Sequence, residues 1–308
     1  MRAPPRAVPA PVPARPLLRA LGWWRSPWRP PRLLEAFAWL YLAWSILPVA
    51  IAVWFSFNAG RSRSTWQGLS LRWYWKDPVL SVWNDPDLHT ALFQSLRLAA
   101  FATAVAVPLG VAFAIGLDRW RGRVATTANF QMLLSFVLPE IILGVALLMV
   151  ITNLLKFVAL GTTAQFLGLV TFQVFYLAII CRARLLSIGR EYEEAAMDLG
   201  ASPLRALRRV LLPLLYPAIF ASAVLVFADV IDDFVIVRYL SSDAATEPMS
   251  VKIYNSARAT PTPALNALAT IMLVSSLLAV TLGYVVYRRL TRGERRGASG
   301  VEDFAAQL

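Results

Sequence analysis

The sequence predicts an all-α, polytopic membrane protein with six transmembrane helices. Of its 308 residues, 58% are hydrophobic, and the mean hydropathy is +0.57. A soluble domain of this composition would leave large apolar patches on its surface. Several apolar runs also reach the roughly 20 residues that a helix needs to cross a bilayer. In segments of this length, only helices satisfy every backbone hydrogen bond within the membrane.

Six apolar segments give the predicted spans. Four of them contain no charged residue: 36–60, 98–117, 157–181 and 259–287. A fifth segment, 125–155, is interrupted by a single charge, Glu140. The sixth segment, 210–237, contains three acids near its far end: Asp229, Asp232 and Asp233.

The distribution of basic residues predicts the orientation of these spans. Most of the 30 lysine and arginine residues lie in four segments: 1–35, 118–124, 182–209 and 288–308. Loops on the cytoplasmic side of a membrane are enriched in these residues, so both termini are predicted to be cytoplasmic. The same bias accounts for the net charge of +12, and we do not interpret that charge as nucleic-acid binding.

The two ends of the chain are predicted to lie outside the membrane domain. Residues 1–32 are rich in proline and are predicted to be a disordered cytoplasmic tail with an interfacial segment. Residues 291–308 form a second cytoplasmic tail. The membrane domain between them, 33–290, contains a cytoplasmic loop at 187–212.

The residue types that support catalysis are scarce. A single cysteine, Cys181, excludes an internal disulfide, and a single histidine, His89, excludes a multi-histidine metal site. The sequence contains no phosphate-binding loop, nucleophile elbow or metalloprotease helix. We therefore predict no enzymatic activity and no metal or cofactor site in this chain.

Acidic residues inside the spans are candidates for a functional site, because a charge in the bilayer is costly unless it is paired or hydrated. Glu140 lies near the middle of its segment. Asp229, Asp232 and Asp233 have the spacing i, i+3 and i+4, which predicts one helical face with a negative, water-accessible lining. Two other interpretations stay open: Arg97 could neutralise one of these acids as a structural pair, or the aspartates could lie among the lipid headgroups.

The predicted cytoplasmic loop contains the sequence EEAAMDLGASP, residues 193–203. Its pattern predicts a short amphipathic helix over 192–199, with acids near the N-terminus where the helix dipole favours them. Gly200 is suited to a turn with positive φ, and Ser202 followed by Pro203 is typical of the start of a second helix. Such a loop is suited to fitting a groove of a partner, although an acidic stripe is also typical of a solvated surface.

The loop resembles the EAA motif of the permease subunits of binding-protein-dependent ABC importers. The resemblance rests on the segment Glu194-Ala195-Ala196, on Gly200 and on the segment Val210-Leu211-Leu212-Pro213. Further segments resemble the second permease subunit of spermidine/putrescine importers: LPEIILGVAL, DDFVI, SVKIYNSAR and TPALNALATIML. The similarity extends over about residues 66–282.

This resemblance implies a type I ABC importer permease fold in a bacterial inner membrane. The expected partners are a second permease subunit in a heterodimer, two ATP-binding subunits, an extracellular solute-binding protein and membrane lipid. ATP is expected to bind the partner ATPases, so this chain needs no cofactor. The implied ATPase-coupling residues are Glu194, Ala195, Ala196, Asp198, Gly200, Ala201, Ser202 and Pro213.

The resemblance also implies a pathway for a small solute through the membrane domain. The expected pathway residues are Glu140, Asp229, Asp232, Asp233, Phe234 and Tyr176. Polyamines carry the complementary positive charge, whereas importers with similar permeases also carry iron(III), sulfate, phosphonates or opines. Two further hypotheses stay open: a membrane-embedded enzyme that uses Glu140 with Asp232 and Asp233, and an anchoring protein without any pathway.

Overall fold

The computed structural model describes residues 32–62, 65–120, 122–259 and 262–305. Most of the predicted N-terminal tail, and the last three residues of the predicted C-terminal tail, lie outside these described residues. The chain divides into two compact units, residues 1–51 and 52–308. Helix α1, Arg32–Ser56, begins in the first unit and ends in the second. Its segment Leu33–Ser56 is long and apolar enough to cross a membrane.

The described part of the second unit is built of helices. They are α2 (Pro86–Arg119), α3 (Arg123–Val137), α4 (Glu140–Met149), α5 (Thr162–Ile188), α6 (Glu191–Asp198), α7 (Pro203–Ala206), α8 (Leu212–Asp232), α9 (Val235–Leu240), α10 (Met249–Ala259) and α11 (Ala264–Ala305). Short π-helical turns cover Arg72–Lys76, Val150–Leu154 and Leu207–Leu211, and a 3₁₀ turn covers Ala244–Thr246. The described residues contain no β-strand, and this agrees with the predicted all-α class.

Five described helices are long and apolar enough to cross a membrane, and a bent pair of helices gives a sixth span if it is counted as one. The bent pair corrects the prediction of a single helix over 125–155. Helices α3 and α4 meet at an angle of 113°. The break lies at Leu138 and Pro139, whose backbones are extended, with ψ of 133° and 131°. Proline has no N–H to donate and disfavours helical geometry in the residue before it.

The predicted sixth span is also interrupted. Helix α8 ends at Asp232, Asp233 is extended with ψ of 127°, and α9 begins at Val235. The spacing had predicted that the three aspartates share one continuous helical face, and this prediction is wrong. Asp229 and Asp232 lie on the last turns of α8, and Asp233 lies in the break.

Helices α2, α5 and α8 pack together and form the core of the second unit. Small residues allow this close approach. A Cβ atom added at Gly110 would lie 2.9 Å from the Cβ atom of Leu177 and 3.1 Å from the backbone oxygen of Val174. Helices in membranes associate chiefly through such tight contacts and through hydrogen bonds between helices.

A buried amide network holds α9 to the core. Gln165, on α5, is fully buried, and its Nε2 donates to the Val237 carbonyl (3.2 Å), to Ser241 Oγ (2.8 Å) and to the Thr246 carbonyl (2.8 Å). Its Oε1 accepts a hydrogen bond from Nε2 of Gln94 on α2 (2.8 Å). A fully satisfied network of this kind fixes one packing arrangement.

The contacts of Arg97 argue against the alternative in which it neutralises one of the intramembrane acids. The guanidinium of Arg97 donates to Oε1 of Gln94, three residues earlier on α2, and to Oγ1 of Thr162. A neighbour at i−3 lies on the same side of a helix and is within easy reach. Arg97 therefore belongs to the amide network and forms no ion pair with an acid of the described spans.

The segment between α1 and α2 folds around the fully buried side chain of Trp73, whose Nε1 donates to the Asn58 carbonyl (2.6 Å). Asp77 organises the next turn and pairs with Arg72 at 2.8 Å. The backbone N–H of Leu80 donates to the Asp77 carboxylate and lowers its pKa, and this outweighs the opposing effect of burial. This segment contains one π-helical turn, Arg72–Lys76.

Candidate functional site

Two helix breaks come together in the second unit. Helix α4 packs against α9, because a Cβ atom added at Gly144 would lie 2.8 Å from Cδ2 of Tyr239 and 3.3 Å from Cγ1 of Val235. Glu140 is the first residue of α4 and follows the first break directly. Asp233 occupies the second break, which leads into α9. The contact between α4 and α9 therefore brings acids from both breaks to the same place.

The carboxylates of Glu140, Asp229, Asp232 and Asp233 form what we call the acid cluster. Glu140 and Asp229 lie close enough to Asp233 to interact electrostatically with it, and Asp229 also interacts with Asp232. Asp233 is half-buried, and the other three residues are exposed. Among the described residues, no lysine or arginine lies within ion-pair distance of these carboxylates. Like charges this close repel one another, so a cation bound among them would be stabilised.

Hydrogen bonds fix the position of two members of the acid cluster. The carboxylate of Asp233 accepts from the backbone N–H of Val237 (3.2 Å), and its carbonyl accepts from Oγ of Ser250 (2.6 Å). The carboxylate of Asp229 accepts from Nε2 of Gln173 on α5 (2.6 Å), a residue that is fully buried. These contacts anchor the cluster to the core and to α10.

Gln173 is a site residue that the sequence analysis missed. The sequence does contain a signal for this residue, because Gln173 is an amide inside the charge-free segment 157–181. It lies eight residues after Gln165, and this spacing places both amides on one side of a helix. Polar groups inside a span usually face other helices or a wet cavity. A search for neutral amides, and not only for charges, would have found both residues.

The two aromatic residues predicted for the pathway have different surroundings. Phe234 directly follows Asp233 in the second break, and its ring packs against that of Tyr254 at 4.9 Å. Tyr176 lies on α5, one turn after Gln173, and stacks on Phe136 of α3 with ring centroids 5.5 Å apart. The structure therefore places Phe234 beside the acid cluster, whereas the ring of Tyr176 contacts Phe136 of α3.

An open cavity of about 680 Å³ lies beside the second break. Its lining includes Ile141, Phe234, Arg238, Tyr239, Tyr254 and Arg258. Ile141 and Phe234 directly follow Glu140 and Asp233 in the sequence, whereas the residues that line the cavity include none of the four acids. Arg258 lies over the ring of Tyr254 at 4.3 Å, so a cation of the chain itself already covers this aromatic face. The site thus combines carboxylates with aromatic faces.

Substitution of Gly144 by alanine is expected to destabilise the site. The new methyl group would overlap Tyr239 and push α4 away from α9, at a cost of about 1–3 kcal/mol for overpacking. The matched control is Gly116→Ala, since Gly116 is exposed inside α2 and an added Cβ atom meets nothing within 4 Å. Thermal unfolding of the purified protein in detergent would show a lower midpoint for Gly144→Ala alone. Equal midpoints for the two variants would contradict the assigned packing.

The loop at 187–212 forms the second candidate site. Helix α6 matches the predicted helix over 192–199 to within one residue at each end, and Gly200 has φ of +86°, as the predicted turn requires. Ser202 occupies the N-cap position of α7 with Pro203 after it, but the Ser202 side chain makes no capping hydrogen bond. The predicted turn and the predicted start of the second helix are therefore both present.

The loop exposes apolar side chains beside its acids. Leu199 is 90% exposed, and Tyr192 and Leu204 are each 56% exposed. Among the predicted coupling residues, Glu194, Ala195, Asp198, Gly200, Ser202 and Pro213 are exposed, and Ala196 and Ala201 are half-buried. Exposed leucine and tyrosine side chains grouped on a polar loop are typical of a protein-binding surface.

Two ion pairs join this loop to the end of α2. Arg119 pairs with Glu193, and Nη2 of Arg190 donates to the Asp118 carbonyl (2.6 Å) and lies 3.4 Å from the Asp118 carboxylate. We call these four residues the clasp. The sequence carries no local signal for the clasp, because the paired residues are separated by more than 70 positions along the chain.

Comparison with known proteins identifies relatives over most of the chain. Residues 106–296 match the family described as "Binding-protein-dependent transport system inner membrane component". The putrescine transport system permease protein PotI of Escherichia coli (strain K12) is 33% identical over 280 residues, which cover 88% of this chain and 94% of PotI. The spermidine/putrescine transport system permease protein PotC of Haemophilus influenzae is 32% identical over 257 residues, covering 83% and 97%.

A solved structure has a similar fold. The bacterial ABC transporter that imports the acidic polysaccharide alginate contains a chain that superposes with a TM-score of 0.67 at 15% identity. The superposition covers 84% of this chain and 96% of that chain. At this level of identity the similarity concerns the fold, and it confirms the predicted fold class.

Proposed function

Because this chain belongs to the family of binding-protein-dependent transport system inner membrane components and is the permease subunit of an ABC importer, we propose that its solute is a polyamine such as putrescine or spermidine. It is a multi-pass protein of the inner membrane. Permease subunits are not enzymes, and the hypothesis of a membrane-embedded enzyme is therefore wrong.

The acid cluster is the observation that carries this proposal. Four carboxylates meet at two helix breaks, and none is paired with a basic side chain among the described residues. The cavity beside them is lined by three aromatic rings and also by Arg238 and Arg258. A polyamine is a chain of methylene groups that carries two or three ammonium groups. Carboxylates complement the ammonium groups, and aromatic faces complement both the cations and the methylene groups between them. We propose that Phe234 contributes an aromatic face beside the acid cluster and that Tyr176 lies further along the same solute pathway.

The same assignment gives the loop at 187–212 its role. We place it in the cytoplasm, in agreement with the basic bias of the surrounding loops. Glu194, Leu199 and the other exposed residues of the loop would enter a groove of an ATPase subunit, and ATP would bind to that subunit. A second permease subunit would complete the pathway as a heterodimer with two ATPases, and an extracellular binding protein would deliver the solute.

Transport would then follow alternating access around the acid cluster. Closure of the ATPases would move the loops and favour one of two conformations of the paired permeases. Broken helices at mid-membrane sites are a recurrent feature of transporters, because the chain ends at the break can face a solute there. Both breaks in this chain carry acids, and the acids would face the cations of the solute.

An uptake assay tests the proposed solute. The chain would be expressed with its partner ATPase, second permease and binding protein, in cells that lack their own polyamine uptake. We expect ATP-dependent uptake of labelled putrescine or spermidine, with competition by the other polyamine. Uptake of sulfate, iron(III), a phosphonate or an opine without polyamine uptake would contradict the proposal, and a binding protein that binds no polyamine would contradict it as well.

A further inference from the structure

The loop at 187–212 carries two adjacent glutamates whose surroundings differ. The side chain of Glu193 is only 12% exposed and pairs with Arg119 at the end of α2. Glu194 is exposed, and it makes no ion pair among the described residues. Consecutive residues of a helix point about 100° apart, so only one of the two can face α2. The two glutamates are therefore suited to different tasks.

The two ion pairs of the clasp fix the orientation of α6 relative to the end of α2. On α2 the order along the chain is acid then base, Asp118 and Arg119, and on the loop the order is base then acid, Arg190 and Glu193. A single ion pair would let α6 pivot about one contact. Two pairs at the two ends of a helical turn resist that rotation, so α6 and the end of α2 must move together.

The opposite end of α2 holds the helix that lines the cavity. The backbone N–H of Met249, the first residue of α10, donates to Oγ of Ser95 on α2 (2.8 Å), and this bond is buried. Nζ of Lys252 pairs with the Asp87 carboxylate at 2.7 Å. Helix α10 contributes Tyr254 and Arg258 to the cavity. Helix α2 is thus attached to the loop at one end and to the cavity wall at the other.

Helix α2 is a suitable connector between these two ends. It is continuous over 34 residues, although Pro108 lies inside it, and at 1.5 Å per residue it is about 50 Å long. It is also packed against α5 and α8 for much of this length. A packed helix responds to a displacement at one end as a rigid body, because the core cannot deform continuously.

We propose that the clasp fixes the loop to α2 and that α2 transmits the displacement of the loop to α10 at the opposite side of the membrane. This inference rests on the proposed function, which supplies the ATPase that moves the loop. Glu193, Arg119, Arg190 and Asp118 are positioning residues in this mechanism. Glu194 faces the ATPase instead, so neighbouring glutamates of the motif have separate roles.

The test measures movement at α10 and does not require a solute. Ala257, which is exposed on α10, is replaced by cysteine in a Cys181→Ser background, which removes the native cysteine of this chain. In the assembled importer, the rate of maleimide labelling at this position is compared with and without a non-hydrolysable ATP analogue. We expect the analogue to change the labelling rate, and we expect Glu193→Arg or Arg119→Glu to reduce that change at least about threefold, as for coupled contacts.

The charge-swapped double variant, Arg119→Glu with Glu193→Arg, is expected to restore the response, since it rebuilds the ion pair with opposite signs. Arg123→Glu is the matched control, because Arg123 is exposed at the start of α3 and lies outside the clasp. It should leave the response unchanged.

Three results would overturn the proposal. The first is an unchanged labelling rate in the parent protein on addition of the analogue. The second is a full response in the single charge reversals, or a double variant no better than the singles. The third is loss of the ATPase subunits from the single variants, which would make these residues docking contacts. Because no solute enters the assay, an importer that fails to take up polyamines can still support the clasp.

Discussion

Replacement of Gly200 by proline is expected to abolish ATP-driven import while the protein still inserts into the membrane. Gly200 has φ of +86°, and its N–H donates to the Met197 carbonyl at 2.9 Å. Proline fixes φ near −65° and has no N–H, so the turn between α6 and α7 would have to rebuild. The cost of such a change is about 3 kcal/mol, which lowers the population of the correct loop about a hundredfold.

Asparagine at the same position is the matched control. An added Cβ atom at Gly200 meets nothing within 4 Å, so the conformation of the backbone is the property under test. Asparagine adopts positive φ more readily than other residues with a side chain, and we expect Gly200→Asn to import within about fivefold of the parent. Uptake and stimulated ATPase activity in proteoliposomes would measure both variants. Normal transport by Gly200→Pro would show that the turn does not set the geometry of the loop.

The sequence predicted this loop well because its signals are local. A positive-φ glycine and a Ser-Pro pair act on the neighbouring peptide units, and both had the predicted backbone positions. The apolar segments were equally informative, since the length and hydropathy of a span are properties of the segment itself. The orientation of the termini and the boundaries of the tails stay predictions.

The geometry around the acids was not predictable in the same way. Pro139 indicated a disturbance, but the 113° angle depends on how α4 packs against α9, and Gly144 and Tyr239 are far apart in the sequence. No proline or glycine marks the break at Asp233, and the spacing of the aspartates therefore suggested one continuous face. A pairing of Arg97 with a distant acid stayed open in the sequence, whereas its partner Gln94 lies one turn away. Contacts between helices decide these features, and a single sequence does not contain them explicitly.

Removal of two charges from the acid cluster is expected to impair the transport of spermidine more than that of putrescine. At about 6 Å and an effective dielectric constant of about 20, each ammonium–carboxylate contact contributes close to 3 kcal/mol before desolvation. Desolvation reduces this value, so we expect the double variant Glu140→Gln with Asp233→Asn to lose about 10- to 100-fold in spermidine uptake. Putrescine has one cation fewer, and its loss should be smaller.

The control for this prediction is Asp243→Asn. Asp243 is exposed in the loop after α9, and its Oδ1 accepts a hydrogen bond from the backbone N–H of Thr246, which asparagine can also accept. It removes one negative charge outside the acid cluster and should leave both uptake rates unchanged. Size-exclusion chromatography in detergent would show that all variants fold and assemble. An equal loss of putrescine and spermidine uptake in the double variant would contradict this prediction. The carboxylates would then act on the conformational change, because only a direct electrostatic contact with the solute scales with its number of cations.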